Sequence, residues 1–210
     1  MDYSTASMQL NHVNDRVTYY TPLDRPFGLT YGTWTVKWWD WVTSIPTQIN
    51  PGMDPNGQNA NMKQKEQVWF LAGSFPGEGF PSRKCVISED KSVLFPVVNY
   101  EINTYEKPEI TTKSEMLEDV INDIDGVLEM KVTIDEIDIP CFRIKSDPEV
   151  FSLTLAEGNC LGLPCGTIDV AADGYWVFLK PLPLGKHEIE FYGLCPAEVR
   201  LGAHYDLFVK

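Results

Sequence analysis

Hydrophobic and polar positions change period along this chain, and the changes predict its elements. From residue 31 the apolar spacing is helical. Trp34, Trp38, Trp41 and Ile45 stand at i, i+4, i+7 and i+11. At about 100° per residue they form a stripe about 60° wide. Lys37, Asp40 and Thr43 fall on the opposite side. Thr30 or Thr33 is placed to cap the start, and Pro46 ends the helix. A helix over about 31–45 is expected. A second covers 113–125, where Thr112 and Glu115 make a capping box. Leu117, Val120, Ile121 and Ile124 give it one apolar face, and Gly126 is its stop.

Elsewhere the pattern alternates or runs in short apolar stretches, which predicts strands. QVWFLAGSF (67–75), KCVIS and SVLFPVVNYEI are the first of these. Pro96 inside the last requires an edge or a bulge. Strict alternation there puts Phe95, Val97, Asn99 and Glu101 on one face. EMKVTIDEIDI alternates and turns near Asp135 and Glu136, and CFRIKS and VFSLTLA follow. Residues 158–174 read as a Gly/Pro/Asp loop. Strand 175–180 then leads through PLPLGK into strand 187–192, a hairpin pattern, and YDLFVK closes the chain. Eight or so strands with two helices predict a mainly β fold. We expect a single β-sandwich, immunoglobulin-like or jelly-roll, over 28–210, behind an N-terminal arm at 1–27.

Five stretches together resemble a pattern in an uncharacterised microbial protein family. They are FGLTYGTWTVKWWDWVTSIP, VWFLAGSF, SVLFPVVNYE, NCLGLPCGT and ADGYWVFLKPLPLGKHEIEFYG. The resemblance runs over roughly residues 26–195. It implies one β-sandwich domain, with some secreted relatives, and it brings no activity and no catalytic residue.

Charge narrows the partners. The 210 residues carry 30 Asp and Glu against 17 Lys and Arg, a net charge of −13. Residues 101–150 hold 14 of the acids and 5 of the bases. Such a chain repels phosphate backbones and anionic membrane surfaces. A small molecule, a glycan or another protein is the expected partner of a monomer or homodimer. No secretory leader opens the chain, which points to the cytoplasm, with a secreted mature form as the alternative. The five cysteines include Cys160 and Cys165 in CLGLPC, too far apart for a zinc knuckle. The three histidines, His12, His187 and His204, show no ligand spacing, so no metal site is expected. Calcium is the one cofactor the acids would suit, at 135–139, at Asp147 and Glu149, or at Asp169 and Asp173.

Candidate chemistry is sparse. Trp39 lies about 100° off the tryptophan stripe, where it would offer a stacking surface. Asn99 and Glu101 end a strand whose face is otherwise apolar; a carboxyl there can be held protonated for acid/base work. His187 shares a strand face with Ile189 and Phe191. The long loop 50–64 is rich in Asn and Gly. These residues support a non-enzymatic binding or structural module with Trp39, Asn99 and Glu101 at its ligand. The alternative is a carbohydrate-active hydrolase or lyase that uses Glu101 with His187 or an aspartate.

Overall fold

The computed structural model describes residues 17–64 and 67–210. The elements are α1 (Tyr31–Thr43), β1 (Val68–Phe70), β2 (Ser82–Ile87), β3 (Ser92–Asn103) and α2 (Lys113–Asp125), then β4 (Glu129–Ile134), β5 (Ile137–Asp138), β6 (Phe142–Arg143) and β7 (Val150–Leu155), and last β8 (Gly166–Leu179), β9 (Gly185–Cys195) and β10 (Val199–Val209). They build two five-stranded sheets, a β-sandwich with two decorating helices. The first sheet runs β1-β3-β8-β6, with β7 also on β8; the second runs β2-β10-β9-β4-β5. The pairs β1/β3 and β2/β10 are parallel, and every other pair is antiparallel.

The sheets enclose one apolar core. Phe95 and Val177 from the first sheet meet Ile189, Phe191 and Leu207 from the second. Phe95 and Phe191 have ring centroids 4.5 Å apart, a packed aromatic pair that adds to the area they bury. The outer face of the first sheet carries a second core, where α1 lies on Leu94, Trp176 and Phe178.

The tryptophan stripe is buried as its spacing predicts. Thr30 caps α1 by accepting the Thr33 N–H. The indole N–H groups of Trp34, Trp38 and Trp41 donate to the carbonyls of Pro26, Leu71 and Met62. Trp39 departs from the expectation of an exposed face: it is only 4 % exposed, and Thr43 is also buried. The cause is a second cover on α1. The 158–163 loop lies along that side, with the Cys160 thiol 3.6 Å from the Val42 carbonyl. Asn159 organises this loop, donating to Ala156 O and Leu163 O. The helix α1 ends two residues sooner than expected, and the Asn50 amide donates to the carbonyl of Val42 in its last turn and to that of Ile45 just beyond it.

Two stretches differ from the periodic reading. β8 begins at Gly166, so most of 158–174 is strand: Ile168 and Val170 face the tryptophan layer, while Asp169 pairs outward with Ser152. PLPLGK does not close a hairpin, because β8 and β9 belong to different sheets. It arches over the end of the sandwich and drops Leu182 into the intersheet core. Pro181 and Pro183 lack the N–H groups that a two-strand ladder would need. The turn at Asp135 and Glu136 forms as expected, with φ of 51° and 67°. Of the expected arm, residues 1–16 lie outside the described residues. Tyr19 bridges Leu179 on β8.

The 50–64 loop is pinned. Arg83, 2 % exposed, donates to the carbonyls of Gly52, Asp54, Ala72 and Gly73 and to the Tyr205 hydroxyl. The Asp54 carboxylate accepts the N–H groups of Asn56, Gly57 and Asn59. Among the described residues, no helix is long and apolar enough to cross a membrane.

Candidate functional site

The site begins with a bulge. Pro96 pairs with Trp176, but Val98 already pairs with Tyr175, so Val97 is an extra residue in β3. An extra residue reverses the phase of everything after it. Phe95, opposite Val177, faces the intersheet core. Glu101 lies opposite Ala172, which packs in the tryptophan layer. Asn99 and Glu101 are therefore not on the face of Phe95 and Val97, contrary to strict alternation. They face the α1 side. The sequence signal was Pro96 itself, which removes a donor from an internal strand and so marks the bulge.

The second ingredient is the short β1. It pairs with β3 only over Ser92–Leu94. The chain then crosses to the other sheet, where the Ser74 N–H donates to Gly202 O at 2.9 Å. A partly open pocket of about 550 Å³ fills the space beside β3. Trp38 and Trp39 of α1, Phe75, the bulge, the end of α2 and the turn between β9 and β10 wall it. Trp39, Asn99 and Glu101 all line it. The indole N–H of Trp39 and the Asn99 amide nitrogen are both buried without a hydrogen-bond partner.

Glu101 dominates the electrostatics. It is 5 % exposed, and the Asn103 amide stands 3.4 and 3.3 Å from its two oxygens. The same amide donates to Glu106 at 2.7 Å. Burial, and then the neighbouring Glu106 charge, push the Glu101 carboxyl up to about 8. Asn103 also accepts the N–H groups of Tyr105 and Glu106, and this turn brings Glu106 back to Glu101. Asp123 of α2 adds a third carboxylate to the wall. Burial, then the Asp123 charge, raise the Tyr100 hydroxyl to about 12. Burial likewise raises the Cys160 thiol to about 12. Sequence reasoning missed Asn103, Glu106 and Asp123. The visible signal was an Asn followed within three residues by an acid, the mark of a side-chain-closed turn.

His187 is elsewhere. Its ring nitrogens bond the Asp135 carboxylate at 2.7 Å and Pro183 O at 2.8 Å. It clamps the β4–β5 turn to the arch after β8 and does not line the pocket, so the expected pairing of Glu101 with His187 is not formed. His12 lies outside the described residues. The acids proposed for calcium are dispersed: Asp135 binds His187, Asp147 accepts from Thr30, and Asp173 pairs with Arg143. Among the described residues no group of three metal-ligating side chains gathers. All five cysteines are free thiols.

No family model matches this chain, and no curated protein matches it. One solved structure, the solution structure of amebosin, aligns over 70% of this chain and 100% of that one at 7% identity. Its TM-score of 0.26 is too low to bear on the fold.

Proposed function

We propose that this protein is a non-enzymatic β-sandwich binding module that takes a small organic molecule into the pocket beside β3. The observation that carries this reading is the convergence of Trp39, Asn99 and Glu101 on one pocket of about 550 Å³, a size in the usual range for small-molecule sites. Each brings a group that an unliganded fold leaves under-bonded. The indole N–H and the amide lack acceptors, and the buried carboxyl has long contacts to one amide and otherwise meets the Glu106 carboxyl. The indole N–H signals of the six tryptophans provide the test. In a small-molecule screen, ligands should move the Trp39 signal and leave Trp69 still. Hits that move neither Trp39 nor Trp38 would count against the pocket.

A second reading is favoured by one observation, the Glu101 carboxyl raised to about 8 beside Glu106. A protonated acid next to a second carboxylate suits general acid/base work on a glycoside. In that reading Glu106 or Asp123 replaces His187 as the partner. Turnover of a glycoside that disappears in Glu101→Gln supports it; binding without turnover supports the module.

A further inference from the structure

The charges around the pocket are all of one sign. Glu101 comes from β3, Glu106 from the turn after it and Asp123 from α2. Among the described residues, no Lys, Arg or His lines the pocket. The nearby bases are committed: Lys107 holds Asp119 at 2.7 and 2.9 Å, Arg200 lies over the Tyr192 and Phe80 rings, and Arg83, behind the wall, donates to Ala72 O, Gly73 O and the Tyr205 hydroxyl. A carboxyl that is 5 % exposed, with no counter-ion, is unfavourable as an anion. It either keeps its proton or acquires a cation. The same pocket wall also carries aromatic side chains, Trp38, Trp39 and Phe75. Independently of the acids, Trp39 is among the lining residues and is 4 % exposed, and its indole N–H is buried without an acceptor.

We infer that the ligand is an organic amine: its ammonium sits between Glu101 and Glu106, and its apolar body, carrying an oxygen acceptor, lies against Trp38 and Trp39. This rests on the proposal that the pocket is the binding site, and adds the chemical class. An anion would meet three carboxyl groups and no base. A bare metal ion would leave most of the volume unfilled. An ammonium satisfies the carboxyl that the free protein keeps neutral, and its binding displaces the Glu101 proton to solvent. The groups that face Glu101 are the Glu106 carboxylate, the Asn103 amide and the Cys160 thiol. Neither thiol nor amide supplies a competing cation.

The test uses three isosteres: 2-phenoxyethylamine, 2-phenoxyethanol and phenoxyacetate. Each is titrated into the full chain while the tryptophan indole signals are followed. The amine should bind and move Trp39, the alcohol should bind at least about tenfold more weakly, and the acid should not bind. Calorimetry at neutral pH in two buffers of different ionisation enthalpy should show proton release on binding the amine alone. Glu101→Gln, which keeps shape, should reduce the amine to the affinity of the alcohol and leave the alcohol unchanged; Glu106→Gln should act in the same direction. An alcohol that binds as tightly as the amine, or a Glu101→Gln that keeps full amine affinity, overturns the class while the pocket reading stands. An amine that fails to bind at roughly millimolar concentration also overturns it. If the alcohol and the acid leave Trp39 unmoved as well, the pocket reading falls with it.

Discussion

Glu101 and Glu106 compete for one donor: the Asn103 Nδ2 lies 2.7 Å from Glu106 Oε2 and 3.3 Å from Glu101 Oε2. Glu106 takes the good bond. Glu101 is left buried with a weak one, and this inequality sets its chemistry.

The first prediction is a pH dependence of stability. Glu101 titrates at about 8 in the fold, against 4.5 for the unperturbed carboxyl. Between those values the unfolded chain has released a proton that the folded chain keeps. The folded state therefore binds more protons, and stability falls as pH rises from 4.5 to 8. Below that window the contribution is fully present; above it the loss is complete. The slope is on the order of 1 kcal/mol per pH unit. Urea unfolding across the window should show Glu101→Gln gaining on the parent as pH rises, then holding level. Parallel curves for the two would show that Glu101 is not held protonated.

The second prediction concerns Asn103, which is fully buried. Asn103→Ala strands two turn N–H groups and frees Glu106, and should lose roughly 2–3 kcal/mol. Asn103→Asp keeps the turn acceptor but sets a third carboxyl against two others. Its deficit should be small in acid and grow toward neutral pH, read by urea unfolding at both ends. A deficit independent of pH would mean that the turn, not the charge, decides.

The elements that were legible in the sequence are those whose cause is local. The α2 boundaries follow from the capping box of Thr112 and Glu115, which forms as expected. The turn at Asp135 and Glu136 and the buried stripe of α1 are equally local. What escaped depends on partners far along the chain. β8 and β9 look like a hairpin by spacing, yet their partners are Val93 on β3 and Val209 on β10. His187 does point inward, as alternation requires. Its partner Asp135 is 52 residues away in sequence, and together with Pro183 O it holds the ring at the β4–β5 turn, outside the pocket that Glu101 lines. Trp39, Asn99 and Glu101 meet in the pocket for reasons that differ from their spacing. Trp39 stands at the edge of the stripe, where the spacing offers a stacking surface, and it is buried. Asn99 and Glu101 lie on the face opposite to the one strict alternation gives, because a single extra residue at Val97 is invisible to a period of two. They share a pocket because the bulge turned them toward the helix.

That bulge supplies the third prediction. Val98 lies over Gly193 of β9, where an added Cβ would stand 1.8 Å from its Cγ2. Gly193→Ala should therefore overpack the interface and lose roughly 1–3 kcal/mol. Val98→Ala opens a small space on its own. Together the two should be less destabilising than the sum of the single changes, a favourable coupling above about 0.5 kcal/mol. Additive losses would mean that the bulge does not press Val98 onto that glycine.

The fourth prediction is about Arg83. Its donors serve four backbone carbonyls and the Tyr205 hydroxyl, and they join the 50–64 loop, the chain after β1 and β10. No other side chain can span these acceptors: lysine presents one compact charge where the guanidinium presents a rigid fork. Arg83→Lys should lose on the order of 3 kcal/mol, because buried carbonyls are left without donors. Arg83→Met fills the space but supplies no donor, and should lose at least as much. The loss is local as well as global. Amide exchange in 50–64 should quicken in both variants, while the Val177–Leu179 core of β8 keeps its protection relative to the new global stability. The pocket wall at Ala72 and Gly73 is held by the same guanidinium. Ligand affinity should then fall in Arg83→Lys even though Arg83 touches no ligand. A loop that exchanges as slowly in the variants as in the parent would show that Asp54 alone holds it.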